Sequence, residues 1–142
     1  MGNQLPISHI NAKLRKAGVR PTKQRLALAE LLFSPDHRHV TAEELYDEAL
    51  KASIQVSLAT VYNTLNQFKA SGLLREVFVD SAPIYFDTNV AEHNHLYFED
   101  SCTLHDFSSD SIIVRGIPDF APGMEVARID VVVRVRTKSS SS

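Results

Sequence analysis

The sequence predicts an α/β protein of the α+β kind, with helices through its first half and strands through a smaller second half. Apolar residues recur at helical spacing from Ile7 to Phe68, and Thr41 and Ser57 mark two helix starts. After Gly72 the pattern changes from helical to extended. A chain of 142 residues holds one ordinary domain or two small ones, and its 44% apolar content permits a real core.

Ile7, Ile10, Leu14 and Ala17 outline a first helix that Gly18 stops. Pro21 and Thr22 open a second, with Leu28, Leu31 and Leu32 as its buried stripe. Thr41 and Glu44 form a capping box, and Val40 staples onto Leu45, so a third helix spans Ala42–Lys51. Ser57 caps a fourth helix with Val56 and Val61 as its staple. Leu58, Val61, Leu65 and Phe68 share one face of it, and Gly72 ends it in a left-handed turn. Residues 73–79 and 84–87 read as strands joined by the turn Asp80, Ser81, Ala82, Pro83. Helices followed by such a hairpin make a winged helix-turn-helix.

The polar stretch 88–92 is the expected hinge. Beyond it, 93–98, 103–107 and 126–136 read as strands and 110–115 as a short helix, while Pro118 and Pro122 exclude a long one. The last strand is too rich in valine to stand uncovered, and a second copy of the chain supplies the cover. The expected organisation is a winged-helix DNA-binding domain (1–87), a hinge (88–92), a small α/β dimerisation domain (93–137) and a disordered tail (138–142).

Charge is unevenly placed. Ten Lys and Arg face eight Asp and Glu through Phe86, against five and nine from Asp87 onward. Lys13, Arg15, Lys16, Arg20, Lys23 and Arg25 precede any acidic residue, a start suited to a polyanion but equally to a solvated helix face. Cys102 is the single cysteine, so neither an internal disulfide nor a CxxC zinc staple is available, and a small buried role is expected for it. With no long apolar run and no signal-peptide core, the expected location is the cytoplasm, away from membranes.

The fourth helix has the amphipathy of a DNA reader. Its apolar stripe anchors it and leaves Ala59, Thr60, Tyr62, Asn63 and Asn66 outward, where Asn can meet adenine edges and apolar groups thymine methyls. Tyr62 offers a ring for a methyl and a hydroxyl for a phosphate, and Arg20 and Arg25 are placed to grip the backbone. The candidate DNA contacts are Arg20, Arg25, Ser57, Thr60, Tyr62 and Asn63. An ordinary bundle with a polar surface helix is the competing reading.

His93 and His95 lie two apart in an expected strand, so their side chains leave one face. Asp106 lies in the next strand, Asp87 where the wing meets the hinge, and His39 just before the third helix. Imidazoles with carboxylates suit Zn²⁺, Fe²⁺ or Mn²⁺, although HxH alone is a common surface pattern. His105 points to the opposite face from Asp106 and is left out.

The runs Ala-Gly-Val-Arg-Pro-Thr-Lys-Gln-Arg at 17–25, His-Val-Thr-Ala-Glu at 39–43 and Val-Ser-Leu-Ala-Thr-Val-Tyr-Asn-Thr-Leu-Asn-Gln at 56–67 resemble the ferric uptake regulator family. The similarity covers roughly residues 9–136. Tyr-Phe-Asp-Thr-Asn-Val at 85–90 and Glu-Val-Ala-Arg-Ile-Asp-Val-Val-Val-Arg at 125–134 look closest to the iron response regulator branch of alphaproteobacteria. The resemblance implies a winged-helix domain hinged to a dimerisation domain, with a regulatory metal between them held by His39, Asp87, His93, His95 and Asp106. It implies a homodimer on a double-stranded operator, control of iron homeostasis and haem biosynthesis genes, and iron or haem as the signal.

The two aspartates also resemble the peroxide-sensing branch, in which iron-bound histidines are oxidised. Departures are equally plain: Phe98 and Ser101 stand where a first structural-zinc cysteine pair would be. Asn94 and Ile113 replace ligands of a second metal site, and no Cys-Pro haem motif exists. Two rival classes are a metal-dependent hydrolase, for which no general base is nominated, and a DNA-binding protein without a sensing function.

Overall fold

The computed structural model describes residues 5–91 and 93–139. Its helices are α1 (Ile7–Lys16), α2 (Lys23–Leu32), α3 (Ala42–Lys51) and α4 (Leu58–Ala70). Its strands are β1 (His39–Val40), β2 (Arg75–Val77), β3 (Tyr85–Asp87), β4 (Asn94–Phe98), β5 (Thr103–Phe107) and β6 (Val132–Val135). The chain divides into two compact units between Val90 and Ala91. None of the described helices is long and apolar enough to cross a membrane.

Side-chain caps set three helix starts in the first unit. Thr22 accepts from the Arg25 amide, Thr41 from that of Glu44 and Ser57 from that of Thr60, each worth about 1 kcal/mol. Gly18 and Gly72 follow the ends of α1 and α4 with φ near +80°, a conformation open to glycine at little cost. Both staples join one core: Val40, Leu45 and Val61 are buried and Val56 packs against them, together with Ile10, Leu14, Leu28, Leu32, Leu65 and Phe68. Ile7 departs from its expected stripe and is left 60% exposed in the opening turn of α1.

The wing is shorter than its β-rich runs, with β2 and β3 pairing antiparallel from Arg75↔Asp87 to Val77↔Tyr85. A third strand joins it. β1 pairs with β3 through His39↔Asp87 and Val40↔Phe86, giving the order β1-β3-β2. Two residues carry too little periodicity to be recognised as a strand, yet this pairing sets His39 opposite Asp87.

In the second unit β4 is central, antiparallel to β5 and parallel to β6. Two expectations need correcting. The helix expected over 110–115 reduces to one 3₁₀ turn, Ser109–Ser111, capped by Ser108. Ile112, Ile113 and Val114, all β-branched, and then Gly116 are poor helix formers, and Ile112 is already extended. The strand expected over 126–136 forms only over Val132–Val135, the stretch in register with β4 from His95↔Val132 to Phe98↔Val135. Of the expected tail, residues 140–142 lie outside the described residues, as does Glu92 of the expected hinge.

Candidate metal centre and nucleic-acid interface

In the first unit the antiparallel register brings His39 Nε2 to 3.1 Å from Asp87 Oδ2. The Asp87 side chain is fully buried, and its Oδ1 accepts the Asn89 amide at 2.8 Å. A buried carboxylate is costly without hydrogen bonds and a positive partner, and His39 and the Asn89 amide answer that need here.

Arg38 fixes the strand that carries His39. Its guanidinium makes a bidentate pair with Glu48 (2.9 and 2.5 Å) and donates to the Leu31 carbonyl at 3.0 Å. That bond to Glu48 holds the Arg38 pKa above its ordinary value, against the opposing effect of burial. Its backbone is clasped to Thr88, amide to Oγ1 at 2.9 Å and carbonyl to the Thr88 amide at 3.1 Å. Arg38, Glu48 and Thr88 escape a reading of the sequence because their partners lie far off in the chain.

In the second unit His93 and His95 point the same way, as their spacing predicts. Their Nε2 atoms approach one oxygen, Asp106 Oδ1, at 3.1 and 3.3 Å, and their rings meet edge-on with centroids 4.5 Å apart. Each of the three offers a ligand atom within 4.8 Å of the others. His93 stands one residue before β4 instead of within it. Its Nδ1 lies 2.5 Å from the Ala91 carbonyl, which only accepts, so Nδ1 carries the hydrogen. The other ring nitrogen, Nε2, is the one that faces the Asp106 carboxylate. His105 stacks edge-on against Phe98, away from this cluster. Cys102 is exposed, not buried: the β4–β5 turn holds it at φ +53°.

The candidate nucleic-acid contacts all belong to the first unit. Tyr62 and Asn63 are exposed on α4, beside a half-buried Thr60. Arg25, Thr60 and Asn63 line one cleft with Thr22, Gln24 and Gln67. Ser57 is occupied as the helix cap, its hydroxyl 2.9 Å from that of Thr60. Arg25 spends one Nη1 hydrogen on the Arg20 carbonyl at 2.9 Å, bracing the loop that presents the exposed Arg20 side chain. Tyr62 differs from expectation. Its hydroxyl donates to Glu43 Oε1 at 2.6 Å instead of standing free for a phosphate, and that bond raises its pKa. No sequence pattern signals a partner nineteen residues away on another helix.

Comparison with known proteins agrees with this architecture. Residues 16–133 match the ferric uptake regulator family. The ferric uptake regulation protein of Shigella flexneri is 40% identical over 106 residues, 74% of this chain and 72% of that protein. The peroxide-responsive repressor PerR of Staphylococcus epidermidis is 40% identical over 96 residues, 68% of this chain and 63% of that one. Among solved structures, the Pseudomonas aeruginosa ferric uptake regulator with manganese superposes with a TM-score of 0.70 at 32% identity, covering 91% of this chain and 98% of that one. The chain therefore belongs to the ferric uptake regulator family and is a metal-dependent transcriptional regulator, not an enzyme.

Proposed function

We propose that this protein is a cytoplasmic homodimer that reads a palindromic operator with α4 and adjusts its grip according to one divalent ion, Fe²⁺, Mn²⁺ or Zn²⁺. The observation that carries the reading is the buried Asp87–His39 pair at the end of the wing, which puts metal donors on the DNA-reading unit itself. His93, His95 and Asp106 supply the complementary donors from the second unit. The set of three imidazoles and two carboxylates fits a borderline or hard first-row cation. A bound ion supplies Lewis-acid links to these donors. The chain does the rest: Arg38 and Thr88 hold His39 in register with Asp87, and β3 passes any displacement of Asp87 to the wing. An ion held by donors of both units would bias their arrangement and hence DNA competence.

Control of iron homeostasis and haem biosynthesis genes, with haem as a further signal, extends this proposal on the strength of residues 85–90 and 125–134. Operator binding by the full chain, titrated in parallel with Fe²⁺, Mn²⁺, Zn²⁺, haem and chelator, tests it. Affinity should change with at least one metal, and equal affinity in every arm refutes metal or haem sensing. Tyr62→Ala should weaken operator affinity and sequence preference together, whereas Arg25→Ala should lower the salt slope by roughly one contact on any sequence.

A second reading is favoured by the two aspartates in the donor set and by the likeness to a peroxide-responsive repressor. Peroxide would then oxidise His39 or His93 at bound iron. Mass spectrometry of the iron-loaded protein after peroxide tests this, and unmodified histidines alongside unchanged operator binding would remove it.

A further inference from the structure

We propose that Glu43, in the first turn of α3, is a specificity-determining positioning residue for the DNA-reading helix. It holds the Tyr62 ring in one orientation and sets a negative charge beside the ring that penalises every duplex the ring does not fit. The inference rests on the reading of α4 as the DNA-contacting element.

Three observations carry it. The Tyr62 hydroxyl donates to Glu43 Oε1 at 2.6 Å, bridging α3 and α4. Both helices are fixed beneath this bridge, since Ala42, Leu45 and Ala49 of α3 are buried in one core with Val61, Leu65 and Phe68 of α4. The bond therefore ties the ring to that packed frame while Tyr62 stays 39% exposed. An ionised carboxylate only accepts, so the hydroxyl hydrogen is committed to Glu43 and is withheld from phosphates. What Tyr62 then presents is an apolar ring edge, whose partner in the major groove is the 5-methyl group of thymine.

The charge acts separately from the hydrogen bond. Glu43 and Glu44 are exposed in the first turn of α3, whereas Thr60, Tyr62 and Asn63 on α4 are uncharged. A carboxylate at this surface repels phosphates on any sequence, and only a duplex that rewards the oriented ring offsets that repulsion.

The test uses the full chain loaded with Mn²⁺ and a duplex that the wild-type protein selects from a random pool. The same duplex with dU in place of each dT, and a random-sequence duplex, complete the set. Wild type should lose about fourfold in affinity for each thymine methyl that the ring reads, the worth of one buried methyl group. Glu43→Ala should bring the dT/dU ratio toward one and tighten random-duplex binding about two- to threefold, as expected for one screened charge. Glu43→Gln, whose amide oxygen still accepts from the hydroxyl, should keep the dT/dU ratio while showing the same tightening. Tyr62→Phe should lose discrimination without tightening.

A wild-type dT/dU ratio in Glu43→Ala overturns the proposal, as does unchanged random-duplex binding in both Glu43 variants. Wild type that selects no duplex, or a Tyr62→Ala variant that binds its duplex as wild type does, defeats the underlying reading of α4 instead.

Discussion

The two units solve opposite problems. In the first, Ile10, Leu14, Leu28, Leu32, Leu45, Leu65 and Phe68 are fully buried in one core, and polar groups enter it with partners arranged. In the second, Tyr97 and Leu104 are the buried large apolar residues among those described, whereas Ile113, Ile117, Phe120, Met124, Val126 and Ile129 face outward. What that unit buries instead is His93, Asn94 and His95. Apolar burial can hold the first unit by itself. A unit of roughly fifty residues that buries imidazoles and exposes its isoleucines lacks that support, and a bound ion and a second copy are what the proposed function supplies.

The largest expected effect breaks the comparison on the core side. Phe68→Ala should cost about 3–5 kcal/mol in urea unfolding, independent of protein concentration. Ile129→Ala should cost less, and only at concentrations where chains associate; equal losses at every dilution would mean that Ile129 has no partner in a second copy. Next comes the metal. Saturation to a hundredfold over Kd should stabilise the protein by about 2.7 kcal/mol, and chelator should remove the gain. Asp87→Asn and Asp106→Asn should each abolish most of it. A full metal-induced shift in Asp87→Asn would confine the ion to the second unit.

The first unit was also the more legible in sequence. Its caps at Thr41 and Ser57 and its stripe through Val61, Leu65 and Phe68 are local signals, set by spacing within one helix. The register of β1 against β3, which sets His39 opposite Asp87, is a long-range pairing over two residues and leaves no periodic trace. His93 and His95 were legible as a same-face pair, but Asp106 became their partner only through the β4–β5 register His95↔Asp106. The stretch from Val126 to Val131 has the apolar content of a strand, yet a strand forms only where a neighbour offers a ladder, and the register with β4 begins at Val132. Cys102 misled for a different reason: cysteine's preference for burial is an average, and a left-handed turn position overrides it.

The smallest expected effect concerns how the second unit closes its own sheet. Asp100, in the β4–β5 turn, accepts at Oδ2 from both the amide (2.8 Å) and the hydroxyl of Thr137, just beyond β6. The Thr137 side chain first, then its backbone N–H, and Arg136 to a smaller degree, hold the Asp100 carboxyl below its ordinary range, partly opposed by desolvation. A carboxylate whose pKa is depressed by folding contributes stability that is complete at neutral pH. That contribution is lost as pH falls below about 4, through the folded-state value. Because Asp100 is exposed, the consequence of its protonation is local: β6 should loosen at its end in acid. Carboxyl-carbon NMR should place the Asp100 midpoint below that of an ordinary aspartate. Thr137→Ala removes the hydroxyl donor and spares the amide, so the midpoint should rise part of the way back. Exchange of the Glu99 amide, which donates to the Val135 carbonyl at 2.8 Å, should quicken in the same variant at neutral pH. An unmoved midpoint would show that Thr137 does not clamp the sheet, leaving the parallel ladder between β4 and β6 to hold that edge by itself.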